Sequence, residues 1–133
     1  MRVINRQYLQ DIVATICVVA DDVTVYDVLR KHVADSRKVS LHHINANEKL
    51  LASVCAILPD CIVIDTPLCD IDAVGAYGNL LAHNINVPAI FILHRGDVRA
   101  AVQAIRAGAN DVIEKPFSEI RLLRSVNRSL RLH

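Results

Sequence analysis

The chain has 133 residues, 53% hydrophobic and 22% charged, which suits one globular domain with a sizeable core and excludes a disordered segment. A formal net charge of +1 gives no whole-chain attraction to nucleic acid or to an anionic membrane surface. No apolar run approaches the roughly 20 residues of a membrane helix, and the opening MRVINRQYLQDIVA breaks its apolar residues with polar and acidic ones, unlike a secretory signal.

Residues 1–14 read as an N-terminal extension, with one domain over 15–133. The first predicted strand is TICVV, 15–19, short and rich in β-branched residues. Val25, Val28, Leu29 and Val33 then recur at helical spacing, with Asp22 or Thr24 available as cap. VSLHHI, 39–44, reads as a weak strand. Leu50, Leu51, Val54, Ile57 and Leu58 mark a second helix that stops at Pro59. CIVID, 61–65, is the third strand, and 73–83 a helix with Val74, Tyr77, Leu80 and Leu81 inward. PAIFIL, 88–93, is a strand with proline at its start, where proline is tolerated. Asp97 caps a helix carrying Val98, Ala101, Val102 and Ile105, which Gly108 ends. DVIE, 111–114, is a brief strand. Ser118 caps the last helix, with Ile120, Leu123, Val126 and Leu130 inward.

Five strand–helix pairs whose strands are continuous apolar runs imply an α/β fold, a parallel sheet covered on both faces. Cys17, Cys55, Cys61 and Cys69 form no CxxC pair, which argues against a zinc or redox motif and fits a reducing, cytoplasmic setting.

Ligands of open parallel sheets bind beyond the carboxyl ends of the strands. There the first strand delivers Ala20, Asp21 and Asp22, the third Asp65, the fourth Leu93 and His94, and the fifth Lys115. Singly, Asp21 and Asp22 suit a helix cap and Asp65 a loop cap. Together they are crowded carboxylates, which repel unless a cation shares the site. A hard divalent cation such as Mg²⁺ takes one or two carboxylates, waters and a phosphate oxygen. Lysine is a point-charge partner for phosphate, and an aspartate beside such a metal can attack phosphorus. The set suits acceptance of a phosphoryl group. A small α/β enzyme is disfavoured, because GxSxG, GxxxxGK and GxGxxG are all missing.

Four stretches, VVADD (18–22), PDCIVID (59–65), VPAIFILHRGDV (87–98) and AIRAGANDVIEKPF (104–117), carry a resemblance to response-regulator receiver domains, and HRGD with IEKPF is most similar to the FixJ-type subgroup. The resemblance spans 15 to about 131. It implies a flavodoxin-like (βα)5 doubly wound sheet of order 2-1-3-4-5, and no enzyme in its own right. It also implies Asp65 as phosphoacceptor, charged by a sensor histidine kinase, and Asp21 as a direct Mg²⁺ ligand. The Pro67 carbonyl would be a main-chain ligand, and Lys115 the lysine that pairs with acceptor and phosphate, followed by a cis bond to Pro116. FixJ-type receivers usually precede a DNA-binding effector, here outside the chain.

Several positions depart from that pattern. The first acid of the pair is Ala20, and Asp22 comes one residue too late to replace it, because neighbours at a strand end point apart. Leu93 stands where a hydroxyl residue contacts the phosphoryl group, Val112 where an aromatic swings behind it, and His94 where a small residue follows. Cys69 and Ala73 replace the usual proline and glycine. Two functions follow as expectations: a phosphorylatable receiver with weakened Mg²⁺ affinity and altered switching, or a pseudo-receiver acting as a dimerisation and interaction module without phosphate.

Arg121, Arg124, Arg128 and Arg131 form a basic stripe on the last helix. It reads either as a solvated face or as a homodimer face of helix 4, strand 5 and helix 5, pairing across a symmetric interface with Asp97, Asp111 and Glu114. Direct nucleic-acid contact is not expected, since no reading helix or aromatic platform accompanies the stripe. His42 and His43 are expected to be structural.

Overall fold

The computed structural model describes residues 13–33, 38–45, 50–68 and 71–131. Most of the 1–14 extension, Cys69 and the side chain of Arg131 lie outside the described residues. The elements are β1 (Ala14–Val19), α1 (Thr24–Val33), β2 (Val39–Ile44), α2 (Leu50–Ile57), β3 (Cys61–Asp65), α3 (Ala73–Ala82), β4 (Ala89–Leu93), α4 (Val98–Arg106), β5 (Asp111–Glu114) and α5 (Glu119–Arg131). All five strands pair in parallel in the order β2-β1-β3-β4-β5, the flavodoxin-like order expected.

Strand alternation sorts the core into two layers. Ile62 and Ile64 of β3 and Ala89, Phe91 and Leu93 of β4 join α2, α3 and Ala104 of α4 on one face. Cys61 and Val63, with Ile90 and Ile92, meet Val25, Leu29 and Val33 of α1 and Leu122, Leu123 and Val126 of α5 on the other. That double coverage explains the unbroken apolar runs of β3 and β4. Phe91 is fully buried and meets Tyr77 edge-on at 5.7 Å. The Cys17 and Cys61 thiols are pushed up to about 12 by burial, so neither is a nucleophile near neutral pH.

Three local expectations change. Leu58 closes no helix: α2 ends at Ile57, and Leu58 turns left-handed (φ 52°) and exposed. In α5 Leu122 is buried beside Leu123 and Val126, while Ile120 lies outside. In α4 the buried residue is Ala104, with Ala100, Ala101 and Ala107 packed beside it, so that the helix approaches the sheet on small side chains and turns Val98, Val102 and Ile105 to solvent.

The acids expected to face the arginine stripe across an interface are engaged within the chain. Arg121 grips Asp111 through two hydrogen bonds of 2.8 and 3.1 Å, and Ser125 Oγ donates to the same carboxylate at 2.7 Å. Asp97 caps α4 by accepting from the Ala100 amide, and Glu114 accepts from the Gly96 amide at 2.7 Å. Burial alone would raise the Asp111 carboxyl, but the bonds from Arg121, Ser125 and the Val112 amide outweigh it and hold it below the usual carboxylate range. A carboxyl lowered on folding stabilises fully above its unfolded pKa, near pH 4, and loses that contribution as pH falls through the lower folded value. Arg121→Ala is therefore expected to lose about 1 kcal/mol at pH 7, with the gap to wild type shrinking in acid below about pH 4. Urea unfolding at pH 7 and in acid checks this; a variant matching wild type at pH 7 contradicts it.

Candidate functional site

The parallel register brings the functional strand ends together. One step beyond the Val19–Ile64 pair, Ala20 stands beside Asp65, while Asp65 itself pairs with Ile92 and Leu93 with Glu114. Alternation places Asp65 and Lys115 on the layer of Val63 and Ile113, the α1/α5 side.

Asp65 is 8% exposed, and Lys115 Nζ lies 2.8 Å from its Oδ1. The directional hydrogen bond of the ammonium goes to the Thr66 carbonyl at 2.6 Å. Oδ1 receives no aligned hydrogen bond, so its contact with Lys115 is an ion pair that leaves a buried oxygen open to a further partner. Thr66 is fixed to β4, its amide and hydroxyl both donating to the Ile92 carbonyl at 3.0 and 2.8 Å. The Lys115–Pro116 bond is cis, as expected, and so is Thr66–Pro67, which was not expected.

Asp21 is exposed at the end of β1. Asp22 takes the bland role: its Oδ1 accepts from the Thr24 amide at 3.0 Å and starts α1. That backbone bond, then the Thr24 hydroxyl, lowers its carboxyl, with Lys115 and His43 adding weaker attraction. His43 is structural, as expected, its Nε2 lying 2.9 Å from the Ala20 carbonyl and its ring 5.8 Å from Tyr26.

Ala20 is fully buried in the α1/α5 layer, and Leu93, 2% exposed, in the opposite one. Val112 packs beside Leu93's layer. Neither Leu93 nor Val112 has a polar atom on its side chain. The β4–α4 turn is held instead by Glu114 on the Gly96 amide and by the Lys115 amide on the Leu93 carbonyl at 2.9 Å. Sequence reasoning missed the Thr66 carbonyl and the Glu114 strap. Alternation along DVIE already turned Glu114 away from Lys115 and toward that turn, so the second was findable. A main-chain carbonyl leaves no residue-type signal.

Among the described residues no group of three or more His, Cys, Asp or Glu side chains is gathered to hold a metal. The donors expected from the sequence are the Asp21 and Asp65 carboxylates and the Pro67 carbonyl. That is a sparse set which still fits Mg²⁺, an ion that keeps several waters and takes one or two carboxylates. No described helix is long and apolar enough to cross a membrane.

Known proteins share this fold. The response regulator receiver domain family matches residues 16–127. The response regulator protein TmoT of Ectopseudomonas mendocina is 31% identical, covering 97% of this chain and 58% of the relative. The transcriptional regulatory protein FixJ of Rhizobium meliloti (strain 1021) is 37% identical over 82 residues, 62% of this chain and 40% of the relative. The crystal structure of FixJ-N superposes with a TM-score of 0.76 at 30% identity, over 88% of this chain and 93% of that one. The chain thus spans about half the length of these curated relatives. With a family match over residues 16–127 and a five-stranded parallel sheet in the expected order, this chain belongs to the response regulator receiver domain family.

Proposed function

We propose that Asp65 accepts a phosphoryl group from the phosphohistidine of a sensor kinase. The carboxylate oxygen forms a bond to phosphorus as the N–P bond breaks, and the electron pair stays on the histidine nitrogen. Lys115 is already positioned to follow the new charge, since its Nζ sits between Asp65 Oδ1 and the Thr66 carbonyl. Asp21, Asp65 and the Pro67 carbonyl would hold Mg²⁺, which supplies charge neutralisation to phosphoryl oxygens when bound. With Ala20 in place of an acid, that affinity is reduced. The chain then serves signal transduction from the cytoplasm to transcription through an effector beyond the residues here.

The observation that carries this reading is the buried Asp65 oxygen paired with Lys115 at 2.8 Å. Intact-mass spectrometry after acetyl phosphate with millimolar Mg²⁺ tests it. A single phosphoryl adduct, lost in Asp65→Asn, is expected; an unmodified wild type across the magnesium series refutes it.

A second reading, a receiver that works without phosphate, is favoured by a different observation. The β4–α4 turn is fixed by Glu114 while Leu93 is sealed in the core. A switch needs differential contacts in its two states, and an aliphatic side chain facing away from the acceptor offers none.

A further inference from the structure

Ala20 has no side-chain group to offer a metal, yet both polar groups of its main chain are held by the edge strand β2. Its amide donates to the Ile44 carbonyl at 3.1 Å, and its carbonyl lies 2.9 Å from His43 Nε2. A carbonyl only accepts, so Nε2 carries the hydrogen of that bond. β2 ends at Ile44, which pairs with Val19. The His43 side chain thus supplies a hydrogen bond one step past the last pair of the β1–β2 ladder.

The imidazole reaches this carbonyl from a fixed place. His43 pairs with Val18, so its side chain rises on the α1/α5 face of the sheet, the face of Asp65 and Lys115. There its ring stands 5.8 Å from that of Tyr26, tilted by 40°, and Tyr26 packs on the same layer. The Ala20 carbonyl is one half of the planar peptide that joins Ala20 to Asp21. Holding the carbonyl toward β2 fixes the plane from which Asp21 leaves the strand. On the other side of Asp21, Asp22 Oδ1 accepts from the Thr24 amide at 3.0 Å. Asp21 therefore stands between two anchored residues.

We infer that His43 is a positioning residue for magnesium: its bond to the Ala20 carbonyl aims the Asp21 carboxylate at the cation. This rests on the reading of Asp21, Asp65 and the Pro67 carbonyl as the magnesium ligands. With Ala20 in place of an acid, few protein groups share the ion, and each that must be ordered on binding subtracts from affinity. A ligand held in advance avoids that loss. Groups that orient a metal's ligands typically change its affinity by about 10–100-fold when removed. His43 acts through one peptide and touches no ligand carboxylate, so the low end of that range applies. The competing role, a ring that only packs β2 against Tyr26 of α1, involves the same side chain but not its donor.

A magnesium titration followed by amide chemical shifts separates the two. In the wild type the Asp21 and Asp65 amides are expected to shift and saturate. His43→Phe keeps a ring against Tyr26 and removes the donor, and is expected to raise the magnesium Kd about tenfold with unchanged circular dichroism. His43→Gln, whose Nε2 can stand where the imidazole Nε2 stands, is expected to restore the wild-type Kd. Tyr26→Leu removes the ring contact and leaves the donor, and is expected to lower the urea midpoint without moving the Kd. A His43→Phe protein that binds magnesium as the wild type does overturns the inference alone. So does an equal loss in His43→Phe and His43→Gln, or a loss in Tyr26→Leu as large as in His43→Phe, since each assigns the effect to packing. A wild type whose Asp21 and Asp65 amides ignore magnesium refutes the magnesium site itself, and this inference with it.

Discussion

Ala20→Asp is expected to melt earlier than wild type without magnesium and to recover in millimolar magnesium, with a metal response larger than that of the native chain. Ala20 is fully buried, one register step past Val19–Ile64 and therefore beside Asp65. A carboxylate placed there loses water and faces another carboxylate. An unsatisfied buried polar group costs about 1–3 kcal/mol, more when charged, and for a domain of this size that lowers Tm by about 5–15 °C. A divalent cation reverses both penalties, because it supplies the missing partner and cancels the repulsion. Ligand binding to the native state stabilises by RT ln(1 + [L]/Kd), about 2.7 kcal/mol at 100 times Kd. A third carboxylate is expected to tighten Mg²⁺ by about tenfold or more, since affinity at such sites follows ligand charge. Melting curves across a magnesium series check this. If the variant responds to magnesium no more than wild type does, Asp21, Asp65 and Pro67 do not form a metal site at this strand end.

The sheet was legible because its strands are buried on both faces. CIVID and AIFIL admit no polar residue until the chain leaves the core, so each strand end shows as a sharp change in polarity. The crevice rule then pointed to Asp21, Asp65 and Lys115, and the fold brings two of them, Asp65 and Lys115, into an ion pair. Helix faces were less legible where two apolar stripes share one helix. In α4 the alanines and the larger aliphatics are both periodic, and close approach to the sheet selected the alanines. Ile120 and Leu122 in α5 present the same ambiguity, settled by the direction in which α5 meets β3 and β5. The arginine stripe was ambiguous for a different reason: a bidentate grip on Asp111 inside one chain leaves the same sequence signature as one between chains.

Removing Lys115 and Asp65 singly and together is expected to show strong coupling. Lys115→Met leaves the Asp65 carboxylate buried without its counter-charge, a change that costs 3–5 kcal/mol at fully buried pairs. The Lys115 side chain is 32% exposed, so water screens part of the loss and about 2 kcal/mol is expected. Asp65→Asn is milder, about 1 kcal/mol or less, because the ammonium keeps its bond to the Thr66 carbonyl. The double variant should regain most of the Lys115→Met loss, giving an interaction energy of about 1–2 kcal/mol from urea unfolding of all four forms. Losses that add within about 0.5 kcal/mol would mean the 2.8 Å contact does no energetic work. The sign of this coupling bears on signalling. A phosphoryl group on Asp65 would replace one negative charge by a larger one at the place where Lys115 already points. Leu93 and Val112, packed in the opposite layer, carry no polar side-chain atom with which to answer that charge. If Asp65 is phosphorylated as proposed, Lys115 and its neighbour Glu114, one paired with the acceptor and the other bound to the Gly96 amide, are the adjacent residues that link the site to the β4–α4 turn.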